Sequence, residues 1–232
     1  MARHLHCDSY SMSTSTESPW TAPGIVAGFA SSPPNSTLID YAATQLSRTR
    51  HRVLLDIGCG AGRNAVPLAR MGWTLVGSDN SAAMLRAAAD REGGHRLRLV
   101  RAEMDALPIR SSSIGFLVAH GIWNLARSGS EFRRALHEAA RVAEPGAALF
   151  LFTFSRNTLP AEVAPVAGET FVFTQFSGAP QCFLTERQLI DEMHTAGFEP
   201  DPALPLRELN RPAPGLRTAG GPVIYEGAFS RF

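Results

Sequence analysis

The run Val53-Leu-Leu-Asp56-Ile-Gly58-Cys-Gly60-Ala-Gly62-Arg63-Asn64 constrains the fold more than any other stretch of the chain. A short apolar segment is stopped by glycines at alternate positions and then opens into a helical pattern. That describes a strand buried on both faces, a tight turn and a helix N-terminus. Such a turn lets the backbone approach a ligand without Cβ clashes, and the amides of the following helix face the same space. A strand buried on both faces needs helices above and below a parallel sheet, and the flanking sequence supplies the alternation. Ser36 or Thr37 caps a helix to Ser47, residues 62–71 form the helix after the glycines, and Trp73–Gly77 reads as a second strand ending at Asp79. Ser81 caps an Ala-rich helix through Asp90, and Leu97–Arg101 and Ile114–Ala119 read as third and fourth strands. Residues 130–143 form a helix stopped by Pro145-Gly146, ahead of a fifth strand, Ala147–Phe154.

The tail changes character. Phe171–Phe176 and Gln181–Leu184 read as two strand-like pieces around Ser177-Gly178, and Thr185 caps a helix to Ala196. Residues 200–214, with five prolines, read as loop, and Val223–Phe229 as a last strand closing an antiparallel hairpin at the sheet edge. At 232 residues the chain suits one α/β unit. Residues 1–19, mostly polar, read as a flexible lead-in, and 20–232 as a single domain. Within it, 20–50 forms an N-terminal lid and helix segment, and 156–184 an insertion on the substrate side.

All 22 basic residues are arginine, which removes lysine Schiff bases and the phosphate-gripping lysine of a Walker loop. With a net charge of +1 and the arginines spread along the chain, nucleic acid is not an expected partner. Cys7, Cys59 and Cys182 are too scattered for a disulfide framework or a metal site, so a reducing, cytoplasmic setting is expected. No apolar run approaches the roughly 18 to 20 residues of a bilayer span, and no secretory signal is seen.

Asp79 stands 21 residues after Gly58, at a strand end where a carboxylate can accept both hydroxyls of a ribose. Dinucleotide sites share this logic but use G-x-G-x-x-G. Here the glycines alternate and Asp56 precedes them by two residues. A carboxylate there disfavours a pyrophosphate and suits an ammonium, such as the amino group of a bound amino acid.

With these features the sequence resembles the class I S-adenosylmethionine (SAM)-dependent methyltransferases, whose first motif is Asp-x-Gly-x-Gly-x-Gly. Ala102-Glu103-Met104-Asp105-Ala106-Leu107-Pro108, followed by Ile114–His120, is similar to the family's acidic segment before its fourth strand. The resemblance covers about residues 36–230. It implies a Rossmann-like α/β fold with a seven-stranded sheet in order 3-2-1-4-5-7-6, strand 7 antiparallel, and SAM across the carboxyl ends of strands 1, 2 and 4. It implies SAM contacts from Asp56, Gly58, Gly60, Gly62, Asn64, Asp79, Asn80 and His120. Glu103 would face the adenine amino group and the Met104 N–H a ring nitrogen, with Asp105 in the adenine role in an alternative register. Gly62-Arg63-Asn64 is also similar to the tellurite-resistance and thiopurine-type branch, which methylates soft sulfur-group acceptors.

His120, Trp123 and Asn124 follow the fourth strand, where the family directs side chains at the methyl group and acceptor. His120 is the candidate base, although a histidine there can equally orient substrate or pack. No metal is expected, because no second acidic ligand accompanies it. Trp20, Phe29 and Phe173 would wall an apolar pocket between the lid and the insertion, favouring a small aromatic or lipophilic acceptor. An anionic substrate would need Arg63, Arg127 or Arg156. The expected protein is therefore a methyltransferase acting on a small molecule as a monomer or homodimer. Its rivals are a SAM-binding regulatory protein without turnover and an NAD-dependent dehydrogenase.

Overall fold

The computed structural model describes residues 19–49, 51–212 and 221–232. The lead-in expected over residues 1–19 lies, but for Pro19, outside them. After a single 3-10 turn at Pro19–Thr21 come helices α1 (Pro23–Ser31) and α2 (Ser36–Leu46). The alternating body follows as β1 (Val53–Ile57), α3 (Ala65–Met71), β2 (Thr74–Asp79), α4 (Ala82–Asp90), β3 (Arg98–Arg101), β4 (Ile114–His120), α5 (Gly129–Val142) and β5 (Ala143–Phe154). The tail holds β6 (Val172–Phe173), β7 (Gln181–Cys182), α6 (Glu186–Thr195), β8 (Phe198–Pro200), β9 (Arg207–Leu209) and β10 (Ile224–Arg231).

The main sheet runs β3-β2-β1-β4-β5-β10-β8, with β9 also paired to β10. β1 to β5 are mutually parallel and β10 is antiparallel to β5, so β10 takes the place of the expected seventh strand. The order reverses direction between β1 and β4, where open α/β sheets bind their ligands. One face is covered by α5 and α6 through Phe132, Leu136, Leu189 and Met193, the other by α2 and α3 through Leu38, Tyr41, Leu68 and Ala69. Each such large side chain stabilises the fold by roughly 1.5–3 kcal/mol on burial.

Several expectations need correction. The cap of α2 is Asn35, whose side chain accepts the Leu38 N–H, rather than Ser36 or Thr37. The glycine loop delays α3 to Ala65. Pro145-Gly146 ends α5 as expected, yet β5 already pairs at Ala143, and the register then shifts so that Phe116 faces Ala148. The intervening residues form a bulge that tolerates a proline without an N–H. Phe171–Leu184, read as two strand-like pieces around a turn, does pair as a two-stranded ribbon, β6-β7, which lies apart from the main sheet. Val172 and Cys182 of the ribbon pack into the main core, while Phe173 joins Leu159 and Phe183 in a small core of its own.

The edge next to β10 is not one strand either. β8 pairs with Phe229–Arg231 and β9 with Ile224–Glu226, so the presumed loop 200–214 contains pairing residues at both ends of a break. Pro202 and Pro205 lie in the break, which returns to the sheet through Asp201 N–H to Ala228 O and Ala228 N–H to Leu204 O, both 2.9 Å. Tyr41 of α2 donates to Asp201 at 2.6 Å and fixes it. Among the described residues no helix is long and apolar enough to cross a membrane.

Candidate functional site

The carboxyl ends of β1 and β2 carry the loop that the sequence emphasises. Asp79 Oδ2 accepts the Gly60 N–H at 2.9 Å and Oδ1 accepts the Ser81 N–H at 2.8 Å, so this acid braces the glycine turn against the start of α4. Each oxygen keeps a further lone pair for a ligand hydroxyl. Gly60 has φ +53°, and a Cβ built there meets nothing within 4 Å, so the turn opens onto free space. Gly58 is different, because Ile122 presses on it and a Cβ would come within 2.7 Å of that side chain.

Next to Asp79, Asn80 donates to Glu103 Oε2 at 3.1 Å, which brings the three polar groups into one edge. Asp105 turns to α5, where Arg134 holds it at 3.0 Å; the alternative register for the adenine role thus has its acid engaged elsewhere. The rest of that segment is fastened to α5 by Glu138, which accepts the Leu107 N–H, and by Arg141, which donates to the Leu107 and Ile109 carbonyls. Met104 packs at the edge of the main core and keeps its backbone in this segment.

Asp56 lies beneath the loop with 2% of its surface exposed. Burial, with the Asp79 charge adding to it and Arg63 opposing, raises its pKa to about 7. A buried carboxyl in that state is stabilised by a cationic ligand.

A second polar group sits farther along the same face. Phe152 of β5 lies directly opposite both His120 of β4 and Glu226 of β10, so the three side chains share one side of the sheet. The His120 ring stacks on Phe152 with centroids 4.3 Å apart. Asn35 Nδ2 is 3.2 Å from His120 Nε2 and donates to Glu226 Oε2 at 2.7 Å, while its backbone N–H donates to Asn64 Oδ1 at 3.0 Å. Arg63 reaches the same imidazole, 3.1 Å from Nδ1 and 3.5 Å from Nε2. Burial, then the nearby Arg63 charge, lowers the His120 pKa to about 3. At neutral pH the ring is uncharged and a feeble base, which weighs against the role given to it from sequence.

The remaining expected substrate residues are not gathered at this place. Trp123 is 1% exposed within the main core, and Asn124 is equally buried. Phe173 belongs to the small core of the insertion, where Arg156 lies over its ring. The Arg156 guanidinium is committed to the carbonyls of Leu159, Pro160, Ala161 and Val163, and so builds the insertion instead of facing an anion. Arg127 pairs with Glu131 on the surface. Trp20 and Phe29 pack edge-to-face on each other, and the Trp20 carbonyl accepts the Ser81 hydroxyl, two residues from Asp79. The physical reason is that α1 finds its apolar cover on α4, with Val26 and Ala30 facing Ala83 and Ala87 across a groove of about 620 Å³. The lid and the insertion therefore pack separately rather than walling one pocket.

Asn35 and Glu226 were missed in the sequence. Glu226 could have been found as the one charge inside the otherwise apolar run Val223–Phe229; Asn35, in the polar stretch Asn35-Ser36-Thr37, gives no such signal.

A parallel sheet with an acid-glycine loop at its switch point and a second acid at the end of β2 defines a nucleoside-binding α/β protein of the Rossmann-like class. A family model described as a methyltransferase domain matches residues 55–151. The chain is 31% identical over 170 residues to a ubiquinone/menaquinone biosynthesis C-methyltransferase of Acidiphilium cryptum, covering 64% of this chain and 67% of that protein. It is 30% identical over 135 residues to a demethylmenaquinone methyltransferase of Corynebacterium urealyticum, there spanning 54% of this chain and only 55% of the relative. Among solved structures, a SAM-dependent methyltransferase from Methanosarcina mazei shares the fold with a TM-score of 0.59 at 22% identity, over 78% of this chain and 92% of that one. The chain belongs to the class I SAM-dependent methyltransferases. Its residues fit that cofactor: a buried unneutralised acid for an ammonium, an open glycine turn, and an acidic edge at the end of β2.

Proposed function

We propose that this protein transfers the methyl group of SAM to a small, ring-bearing acceptor. The observation that carries the reading is the free space at Gly60, framed by Asp56 below and the braced Asp79 beside it. SAM supplies an electrophilic methyl group already activated by its sulfonium, so the protein's task is to orient the partners and exclude water. In this reading Asp56 takes the ammonium, Asp79 the ribose hydroxyls, Glu103 the adenine amino group and the Met104 N–H a ring nitrogen. Gly58, Gly62, Asn64 and Asn80 shape the walls.

The acceptor lies toward the His120–Phe152 stack, a flat aromatic surface at the carboxyl ends of β4 and β5. The names of the quinone-pathway relatives support a ring-bearing acceptor. Since His120 is neutral and weakly basic, the favoured acceptors are those that need no strong base: an acidic phenol, an enolised ring or a soft sulfur nucleophile.

Calorimetric titration with SAM, S-adenosylhomocysteine and NAD tests the cofactor. Binding of the two sulfur compounds and not of NAD is expected, and NAD binding alone would end the reading. A panel of phenols, amines and thiols then tests turnover. Binding of SAM with no methylation across the panel would favour a regulatory protein.

A further inference from the structure

Asn35 joins three separate parts of the molecule. Its Oδ1 accepts the Leu38 N–H at 2.9 Å and caps α2, its backbone donates to Asn64 in the loop after β1, and its amide nitrogen meets Glu226 on β10 and His120 on β4. The orientation of the amide is not free. Turning it over would set Oδ1 against the Glu226 carboxylate and leave the Leu38 N–H uncapped. Both amide hydrogens are therefore assigned, one to Glu226 Oε2 and the other to His120 Nε2, which makes Nε2 an acceptor.

A neutral imidazole has one acceptor nitrogen and one N–H, so the proton sits on Nδ1. The position of Arg63 agrees. Its NH2 is 3.1 Å from Nδ1 and 3.5 Å from Nε2, distances too alike for a donor aligned with either lone pair, because the second nitrogen lies behind the first on that axis. An Arg63 nitrogen nearly equidistant from both ring nitrogens lies over the face of the imidazole, so it takes neither in-plane lone pair and leaves the tautomer to Asn35. Phe152 fixes the plane of the ring by stacking.

We propose that Asn35 and Glu226 are positioning residues that lock His120 as the Nδ1–H imidazole and so hold the ring in one orientation and one protonation state. The role of the ring in turnover rests on the methyltransferase reading; the tautomer itself does not.

The test is long-range proton–nitrogen NMR on the full chain labelled with 15N-histidine, with His120 assigned by comparison with His120→Gln. The expected spectrum shows a pyrrole-type Nδ1 and a pyridine-type Nε2 at neutral pH. A protonated Nε2 with an acceptor Nδ1 would overturn the proposal and give the positioning role to Arg63. Asn35→Asp keeps the oxygen that caps α2 but has no N–H to offer and faces Glu226 with a second carboxyl; it should abolish the single tautomer. Glu226→Ala should do the same, and Glu226→Gln, which keeps an acceptor oxygen, should restore the wild-type spectrum. In turnover, Asn35→Asp should lower kcat/KM by about tenfold or more through misplacement of the ring. An unchanged tautomer and unchanged kcat/KM in both Asn35→Asp and Glu226→Ala would sink the idea. Failure of SAM to bind at all would instead refute the methyltransferase reading and leave the NMR result standing.

Discussion

Asp56 shows how one side chain can couple ligand binding to pH. Its carboxyl releases a proton near pH 4 in an unfolded chain but, when buried beside Asp79, near pH 7 in the fold. The folded state therefore holds the extra proton across that window, and the contribution of Asp56 to stability falls as pH rises from about 4 to about 7. An ammonium ligand pairs with the ionised form, so SAM must expel that proton below pH 7. SAM affinity is expected to climb by up to about tenfold per pH unit until pH 7 and then level off. Calorimetry in buffers of contrasting protonation enthalpy measures this, and Asp56→Asn should flatten the profile; a flat profile in the unmodified protein would contradict it. Asp79→Ala removes the acceptor of two backbone N–H groups as well as the ribose partner, and a loss of SAM affinity of about tenfold or more is expected. Unchanged affinity would place the ribose elsewhere. Asp56, Asp79 and Glu103 were legible because each stands at or just beyond the end of a strand whose pattern is local. Asn35 and Glu226 were not, since 191 residues separate them and only the strand order brings them together.

Elements with strong end signals emerged close to where the sequence put them. Thr185 caps α6 in a full capping box with Gln188, and Ser81 and Ser128 cap α4 and α5. Thr185→Ala should cost about 1 kcal/mol of stability, read as a lower denaturant midpoint with an unchanged slope. The edge strand was illegible for a physical reason: it is two three-residue pieces, each too short for an alternating pattern and both held by β10. At the break, Gly227 lies so close to the Leu206 backbone that an added Cβ would come within 2.6 Å. Gly227→Ala should therefore destabilise the protein by about 1–3 kcal/mol. A midpoint equal to that of the parent would show that the break can move aside. The early start of β5 escaped notice for a related reason, because a Pro-Gly pair reads as a stop whether it ends pairing or sits in a bulge.

Over the whole molecule, stability is unevenly distributed. None of the α1 residues is buried, whereas β4 is buried along nearly its whole length. Amides of α1 should exchange with deuterium at least about a hundredfold faster than those of β4. Because Trp20 is tied to Ser81, two residues from Asp79, adding SAM should slow exchange in residues 20–31; no slowing would detach this helix from the site. The division of the insertion between the main core and a small second one was hidden in the sequence because phenylalanine spacing cannot tell a large core from a small one. The antiparallel course of β10 has a temporal consequence. It carries Glu226 back to the working end of the sheet from the far end of the chain, while Asp56, Asp79 and Glu103 all lie in the first half. A ribosome making about 5–20 residues per second would expose the cofactor loop on the order of ten seconds before Glu226 exists. In the proposed reading, the carboxylates assigned to SAM are thus made before the one that orients His120, and the imidazole is set only once β10 has joined the sheet.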